Sequence, residues 1–321
     1  MKENQTNIRK LWDDKRYHSL DYELKQIYGQ KIYKLSLNGG MSCPNRDGTI
    51  DSRGCIFCSK GGSGDYAASP LLSIDEQIAE AKALLAPKLG EGHNCRYIAY
   101  FQAYTNTYAP VMYLEKIFTE AIQHPEIVAL SIATRPDCLG EEVLELLGRL
   151  NKVKPVWVEL GLQTIHERSA KFIRRGYPLA VFEKAVANLH SLDIQIIVHS
   201  ILGLPKETKE DMLMTMDYLA QLPIQGIKLQ LLHILKDTDL GRLYETGILK
   251  DTLSLEEYID IVISCLERLP ENIVIHRITG DGPKNLLLAP LWSTNKKLVL
   301  NSIHKQMKIR DTWQGKEFTN P

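Results

Sequence analysis

Cys43-Pro44-Asn45-Arg46-Asp47-Gly48-Thr49-Ile50-Asp51-Ser52-Arg53-Gly54-Cys55-Ile56-Phe57-Cys58 is a turn-rich loop that carries three of the six cysteines in the chain. Cys55 and Cys58 form a C-x-x-C whose spacing lets both sulfurs reach one centre. The polar, glycine-bearing segment ahead of them can fold Cys43 back onto that centre. A structural zinc site closes with four protein ligands, and the nearest further candidates, His93 and Cys95, follow a whole predicted helix later. A four-iron cluster held by three cysteines instead leaves one iron open to a small molecule. Zinc completed by a distant ligand and three unligated thiols are the alternatives.

Outward from the loop the chain alternates apolar runs with helical patterns. Ile32-Tyr33-Lys34-Leu35-Ser36-Leu37 reads as a strand that delivers the cysteines. After them, Ser73 and Glu76 form a capping box opening a helix with Ile74, Ile78, Ala81 and Leu85 on one face. Five more runs follow, at Tyr97 to Phe101, Ile127 to Ala133, Val156 to Leu160, Ile194 to Ile201 and Ile227 to Leu232. Val143, Leu144, Leu147 and Leu150 share a helical stripe, as do Met212, Leu213, Met216 and Leu219. Strands buried on both faces and separated by helices predict a parallel sheet, and six such units predict an α/β fold, an incomplete six-unit (β/α) barrel of the TIM type. Its functional groups belong at the C-terminal ends of the strands. A further helix from Ser254, capped by Glu257, leads to a strand at Ile273 to Ile278.

With no internal linker, the reading is one catalytic barrel over 31–270 with an N-terminal extension over 1–30 and a C-terminal extension over 271–321 packed on it. Tyr22, Leu24, Ile27 and Tyr28 mark a helix against the barrel; the rival is a substrate-contacting arm built on Arg9, Lys10, Lys15 and Arg16. At 321 residues and 44% hydrophobic the chain buries a large core. Lys+Arg and Asp+Glu are both 39, which excludes a global field for nucleic acid and leaves local patches. No run approaches the roughly 18 apolar residues of a membrane span, and the polar start Met1-Lys2-Glu3-Asn4-Gln5 lacks signal-peptide character. Thiols gathered for metal rather than paired imply a reducing compartment, so the protein is expected to be cytoplasmic with no membrane partner.

The three-cysteine loop ending in Cys-x-aromatic-Cys after a first strand resembles the cluster loop of the radical S-adenosylmethionine (SAM) enzymes. Its wide Cys43–Cys55 gap is similar to that of the YtqA/YhcC branch, with a more distant likeness to the Elp3 tRNA-modifying enzymes. The resemblance implies a [4Fe-4S] cluster on Cys43, Cys55 and Cys58, with Phe57 beside the cluster or the adenine. The second strand runs into Gln102-Ala103-Tyr104-Thr105-Asn106-Thr107, which replaces the usual glycine-rich segment and implies that Gln102, Thr105 or Asn106 accepts from the SAM ammonium. Asp137 is implied near the ribose, its alternative being a helix N-cap. Glu159-Leu160-Gly161-Leu162-Gln163-Thr164 resembles the E-x-G-x-Q-[ST] segment of the coproporphyrinogen-oxidase and Elp3-like enzymes, which puts Gln163 by the ribose. Glu159 reads as either a barrel-mouth carboxylate or a salt bridge inside the barrel.

Arg174-Arg175-Gly176-Tyr177 resembles the family's R-G-H element, and an arginine fork suits the SAM carboxylate, which singles out Arg175. Gly203 in Gly203-Leu204-Pro205 implies a close approach to the adenine. His199 is near the ribose or substrate, or a satisfied core histidine. Cys138, His199 and Asp281 are the candidates for catalysis, Cys138 otherwise being a small buried hydrophobe. His276-Arg277-Ile278-Thr279-Gly280-Asp281-Gly282-Pro283-Lys284 is a candidate substrate contact.

Cluster and SAM together imply radical hydrogen abstraction, with a reducing partner such as flavodoxin or ferredoxin. The branch implies tRNA as substrate, with wobble 5-carboxymethylaminomethyluridine converted to 5-aminomethyluridine. Lys296, Lys297, Lys305, Lys308, Arg310 and Lys316, flanked by Trp292 and Trp313, suit a phosphate backbone, or else a solvated amphipathic helix. A small-molecule radical SAM enzyme and a non-catalytic, zinc-stabilised nucleic-acid-binding module are the alternatives.

Overall fold

The protein, described by a computed structural model over residues 10–62, 64–89, 95–280 and 282–319, forms its strands where the apolar runs stand. They are β1 (Ile32–Leu37), β2 (Arg96–Phe101), β3 (Ile127–Thr134), β4 (Val156–Gln163), β5 (Gln195–Leu202), β6 (Gly226–Leu231), β7 (Ile234–Leu235), β8 (Val274–Arg277) and β9 (Leu287–Ala289). The helices are α1 (Leu20–Tyr28), α2 (Ile74–Leu89), α3 (Val111–Gln123), α4 (Glu141–Asn151), α5 (Glu167–Phe172), α6 (Leu179–Ser191), α7 (Lys209–Leu219), α8 (Asp239–Glu245), α9 (Leu255–Arg268) and α10 (Lys296–Ile309).

Seven strands make one parallel sheet in the order β1-β2-β3-β4-β5-β6-β8, with β1 and β8 at its edges. This is the open half-barrel expected from the strand-helix repeats, with the strand expected at Ile273 to Ile278 joining the sheet as β8, a seventh strand, rather than belonging to a C-terminal extension. The pair β7 and β9 forms a separate antiparallel ribbon that the sequence reading does not anticipate. Two- and three-residue strands are too short to carry a period.

The main core lies between the sheet and its outer helices, with Phe101 of β2 edge-on to Phe118 of α3 at 5.0 Å. On the other face, Leu24 of α1 packs with Ile98, Trp157 and Ile197, and α1 touches both edge strands. The helix therefore plugs the N-terminal end of the open barrel. Ser19 caps it by accepting from Tyr22 N, and Gly29 ends it in the left-handed conformation. The structure takes Arg16 out of the arm reading and gives Lys15 a local partner, Ser19 Oγ at 3.2 Å. Arg16 is buried, donating to Asp311 and to the carbonyl of Thr312, and Lys10 pairs with Glu271. Arg9 lies outside the described residues.

Candidate active site

Each strand of the sheet except β5 is followed by a loop or turn that contributes to one cavity of about 250 Å³ at the C-terminal edge of the sheet, and β5 contributes His199 and Ile201 from the strand itself. β8 contributes Arg277, its own last residue, and beyond it Gly280 and Gly282. Of the residues singled out from the sequence, Cys43, Cys55, Cys58, Phe57, Gln102, Thr105, Gln163, Arg175 and His199 line this cavity.

The cysteine loop is held by its own polar residues. Cys58 N donates to Cys55 O at 3.0 Å, closing the C-x-x-C turn, and Arg46 donates to the carbonyls of Cys58 and Ser59. The buried Asn45 amide reaches Cys55 Sγ at 3.5 Å and the carbonyls of Arg174 and Arg175 at 2.8 and 3.3 Å. It thereby ties the loop to the turn after α5. That turn needs glycine: Gly176 has φ +84°, and a Cβ there would stand 2.6 Å from Asn45 Oδ1. Gly62 serves the facing wall, where a Cβ would strike the Tyr104 ring at 2.3 Å. Burial first, then the neighbouring Cys58, push the Cys55 thiol up to about 12, while Arg135 and the Asn45 amide pull the other way.

Arg175 is buried, with Nε and Nη1 donating to the carbonyls of Tyr177, Leu162 and Thr164. Its Nη2 makes no hydrogen bond, and Glu167 stands 3.9 Å from it. Gln163 sits at φ +70° with its Oε1 buried and without a hydrogen-bond partner. Gln102 accepts from Ser36 Oγ at 3.1 Å.

Four of the expected site residues do not reach the cavity. Asp137 is gripped bidentately by Arg135, at 2.9 and 2.7 Å, and it is Arg135 that lines the wall. Asn106 is fully buried, its amide donating to Ala133 O at 2.8 Å. Gly203 turns at φ +84° beneath Leu253. Cys138 lines a separate shallow depression with Asp137, and burial, then the charge of Asp137, push its thiol up to about 12, a value unsuited to a nucleophile. Asp281 lies outside the described residues, as does His93.

The cavity floor is an ionic network drawn from five strands. Glu159 of β4 is fully buried; Oε1 accepts from Lys34 and Ser131, both at 2.7 Å, while Oε2 accepts from His199 at 2.7 Å and from Lys228. Burial alone would raise the Glu159 carboxyl, but Lys228, Lys34 and then His199 hold it well below the usual range. Burial, then the charge of Lys228, lowers His199 to about 4 against the pull of Glu159. His199 is therefore neutral, with Nε2–H facing Glu159 and Nδ1 accepting from Gln230 at 3.2 Å. The salt-bridge reading of Glu159 is the one realised. Lys228 and Lys34 are absent from the sequence-derived site, although a lysine interrupting an apolar strand is a visible signal for a lumen charge.

Residues 52–219 match the Radical SAM superfamily and residues 224–309 the Radical SAM C-terminal domain. The chain is 44% identical over 305 residues to the uncharacterized protein YtqA of Bacillus subtilis, covering 95% of this chain and 94% of that protein. It is 38% identical to protein YhcC of Escherichia coli, covering 85% and 86%. Over 183 residues it is 25% identical to the tRNA uridine(34) acetyltransferase of Methanocaldococcus jannaschii, covering 55% of this chain and 32% of that one. Among solved structures, the archaeal Methanocaldococcus infernus Elp3 superposes with a TM-score of 0.65 at 17% identity, over 88% of this chain and 64% of that one. The chain thus belongs to the radical SAM superfamily, within the group of YtqA and YhcC, and its cofactors are the family's [4Fe-4S] cluster and S-adenosylmethionine.

Proposed function

We propose that this protein is a tRNA-modifying radical SAM enzyme that converts wobble 5-carboxymethylaminomethyluridine to 5-aminomethyluridine. The observation that carries the radical chemistry is the convergence on one cavity of three thiols, a buried arginine nitrogen and a buried glutamine oxygen without hydrogen-bond partners. Among the described residues no three His, Cys, Asp or Glu groups converge closely enough to hold a single ion. A cubane places each cysteine sulfur on a different iron, so the donor set suits Cys43, Cys55 and Cys58 on a cluster better than on one zinc.

In this reading Asn45 and Arg46 fix the loop so that the three sulfurs face the cavity, and the Asn45 N–H tempers the charge on Cys55. Arg175 Nη2 is the donor for the SAM carboxylate, and Gln102 and Thr105 accept from its ammonium. Gln163 Oε1 accepts from a ribose hydroxyl. Phe57, Ile173, Ile201 and Leu232 line the apolar part of the cavity and exclude water from the reacting centre. When bound, cluster and SAM supply an electron and a carbon-centred radical that removes a hydrogen atom from the substrate.

The tRNA assignment is supported by the similarity to the tRNA uridine(34) acetyltransferase, a protein named for the wobble uridine. The lysines of α10 at 297, 305 and 308 are exposed, as a contact with a phosphate backbone requires. The flanking aromatics are not a stacking platform, because Trp313 is buried and Trp292 packs on Tyr258 at 5.4 Å. A strain lacking the gene is expected to accumulate 5-carboxymethylaminomethyluridine in bulk tRNA hydrolysates and to lose the aminomethyl product. An unchanged nucleoside profile by mass spectrometry overturns the assignment.

A further inference from the structure

Glu159 cannot account for both ammonium groups beside it. Its four acceptor positions are filled by Lys34, Ser131, His199 and Lys228, and one cation already balances its charge. His199 is neutral. Lys34 stands behind the carboxylate, over the rings of Tyr100 and Trp157 at 4.9 and 5.1 Å, and does not line the cavity. Lys228 does line it, 3.2 Å from Tyr100 Oη and only 5% exposed.

Directly across the sheet, Lys228 of β6 is in register with Arg277 of β8, which lines the same cavity. Like charges opposite one another on neighbouring strands repel. A buried ammonium beyond what the local carboxylate balances is costly. Burial drives Lys228 down to about 7 against the attraction of Glu159, with Lys34 and Arg277 adding repulsion. Lys228 thus presents to the cavity an ammonium that shares its one carboxylate, Glu159, with Lys34.

We infer that the cavity floor is a carboxylate-binding subsite, in which Lys228, with Arg277 facing it from the next strand, grips a carboxylate carried by the substrate. This deepens the wobble-uridine reading and rests on it for the bearer of the group, since 5-carboxymethylaminomethyluridine ends in a carboxylate and 5-aminomethyluridine does not. Gln230 and the neutral His199 border the subsite and supply dipoles without adding charge. The carboxylate leaves with the detached two-carbon fragment, so the nucleoside product loses its hold on the floor, which favours release of the tRNA.

The test uses the reconstituted full-length protein saturated with SAM, so that the cofactor's own carboxylate cannot be the occupant. Carboxyl-labelled acetate is the first probe, followed by NMR line broadening, with acetamide as the neutral control and inorganic phosphate as competitor. Saturable broadening by acetate alone is expected, weakened about tenfold or more in Lys228→Met and in Arg277→Gln and retained in Lys228→Arg. Lys228→Met leaves Glu159 with three partners, and Arg277→Gln alters a half-buried wall position, so at least one of the two reports on a folded protein. Absence of acetate binding, binding indifferent to both substitutions, or displacement by phosphate at lower concentration than acetate overturns the inference.

The second arm compares anticodon stem-loops carrying the carboxymethylaminomethyl and aminomethyl groups. A preference for the former that collapses in Lys228→Met is expected. Equal affinity for the two in the wild-type protein overturns the subsite while leaving the tRNA reading intact. Lys228-dependent acetate binding with no affinity for either stem-loop overturns the tRNA reading and leaves the subsite standing.

Discussion

A single neutral imidazole reports on how the cavity floor is held. His199 binds its proton near 4 when folded and near its ordinary 6.5 when unfolded. The unfolded chain therefore takes up the proton first, and stability present above 6.5 is lost as the pH falls towards 4. The loss is on the order of 3 kcal/mol. His199→Gln can still donate to Glu159 and is expected to flatten this part of the acid limb in urea titrations; a slope identical to wild type would contradict the network. Gly176 offers a second residue-level check. Asn45 cannot yield to a new Cβ because its amide is fixed on the carbonyls of Arg174 and Arg175. Gly176→Ala is thus expected to loosen the cysteine loop and lower the iron retained after anaerobic reconstitution by several-fold, without unfolding the barrel. Iron content equal to wild type would show that Asn45 does not set the loop. At this scale legibility was uneven. Cys43, Cys55 and Cys58 announce themselves by type and spacing, whereas Asp137 looked free because nothing in the sequence says that Arg135, two positions earlier, folds back on it.

Elements were legible where a period runs long enough to declare itself. β1, β2 and β3 fall on their apolar runs, and the capping boxes at Ser73 and Ser254 sit on the first turns of α2 and α9. Boundaries moved where function takes over. β4 extends to Gln163 with a register shift between Gly161 and Gln163, so that polar residues at the strand end are delivered to the cavity. α1 is the element whose role needed the structure, because a short amphipathic stripe does not reveal which end of a barrel it will close. Its Leu24 is 3% exposed and fills the lumen below Trp157. Leu24→Ala is expected to cost roughly 2–5 kcal/mol, read as a fall in the denaturation midpoint with the cavity at the opposite end intact. A cost near zero would mean that α1 is not a plug.

The whole molecule is an open sheet braced at its base, with its cavity at the mouth. The N-terminal segment and the C-terminal tail meet below β8, where the fully buried Gln314 accepts from His18 N and donates to the carbonyls of Pro270 and Ile273. Ser19 bridges Ile275 beside the open edge. Rigidity at this end leaves the opposite end free to be built from loops, as the strand-end rule requires. We propose that this mouth performs radical chemistry on tRNA through Cys43, Cys55 and Cys58. It is tested most directly by reconstituting the protein anaerobically with iron and sulfide, adding SAM, a strong reductant and tRNA from the deletion strain, and quantifying deoxyadenosine and tRNA nucleosides together. Deoxyadenosine and a matching conversion of 5-carboxymethylaminomethyluridine to 5-aminomethyluridine are expected, both abolished in Cys58→Ala. Deoxyadenosine formation that persists in Cys58→Ala, or a fully reconstituted protein that forms none and leaves the nucleosides unchanged, would contradict it.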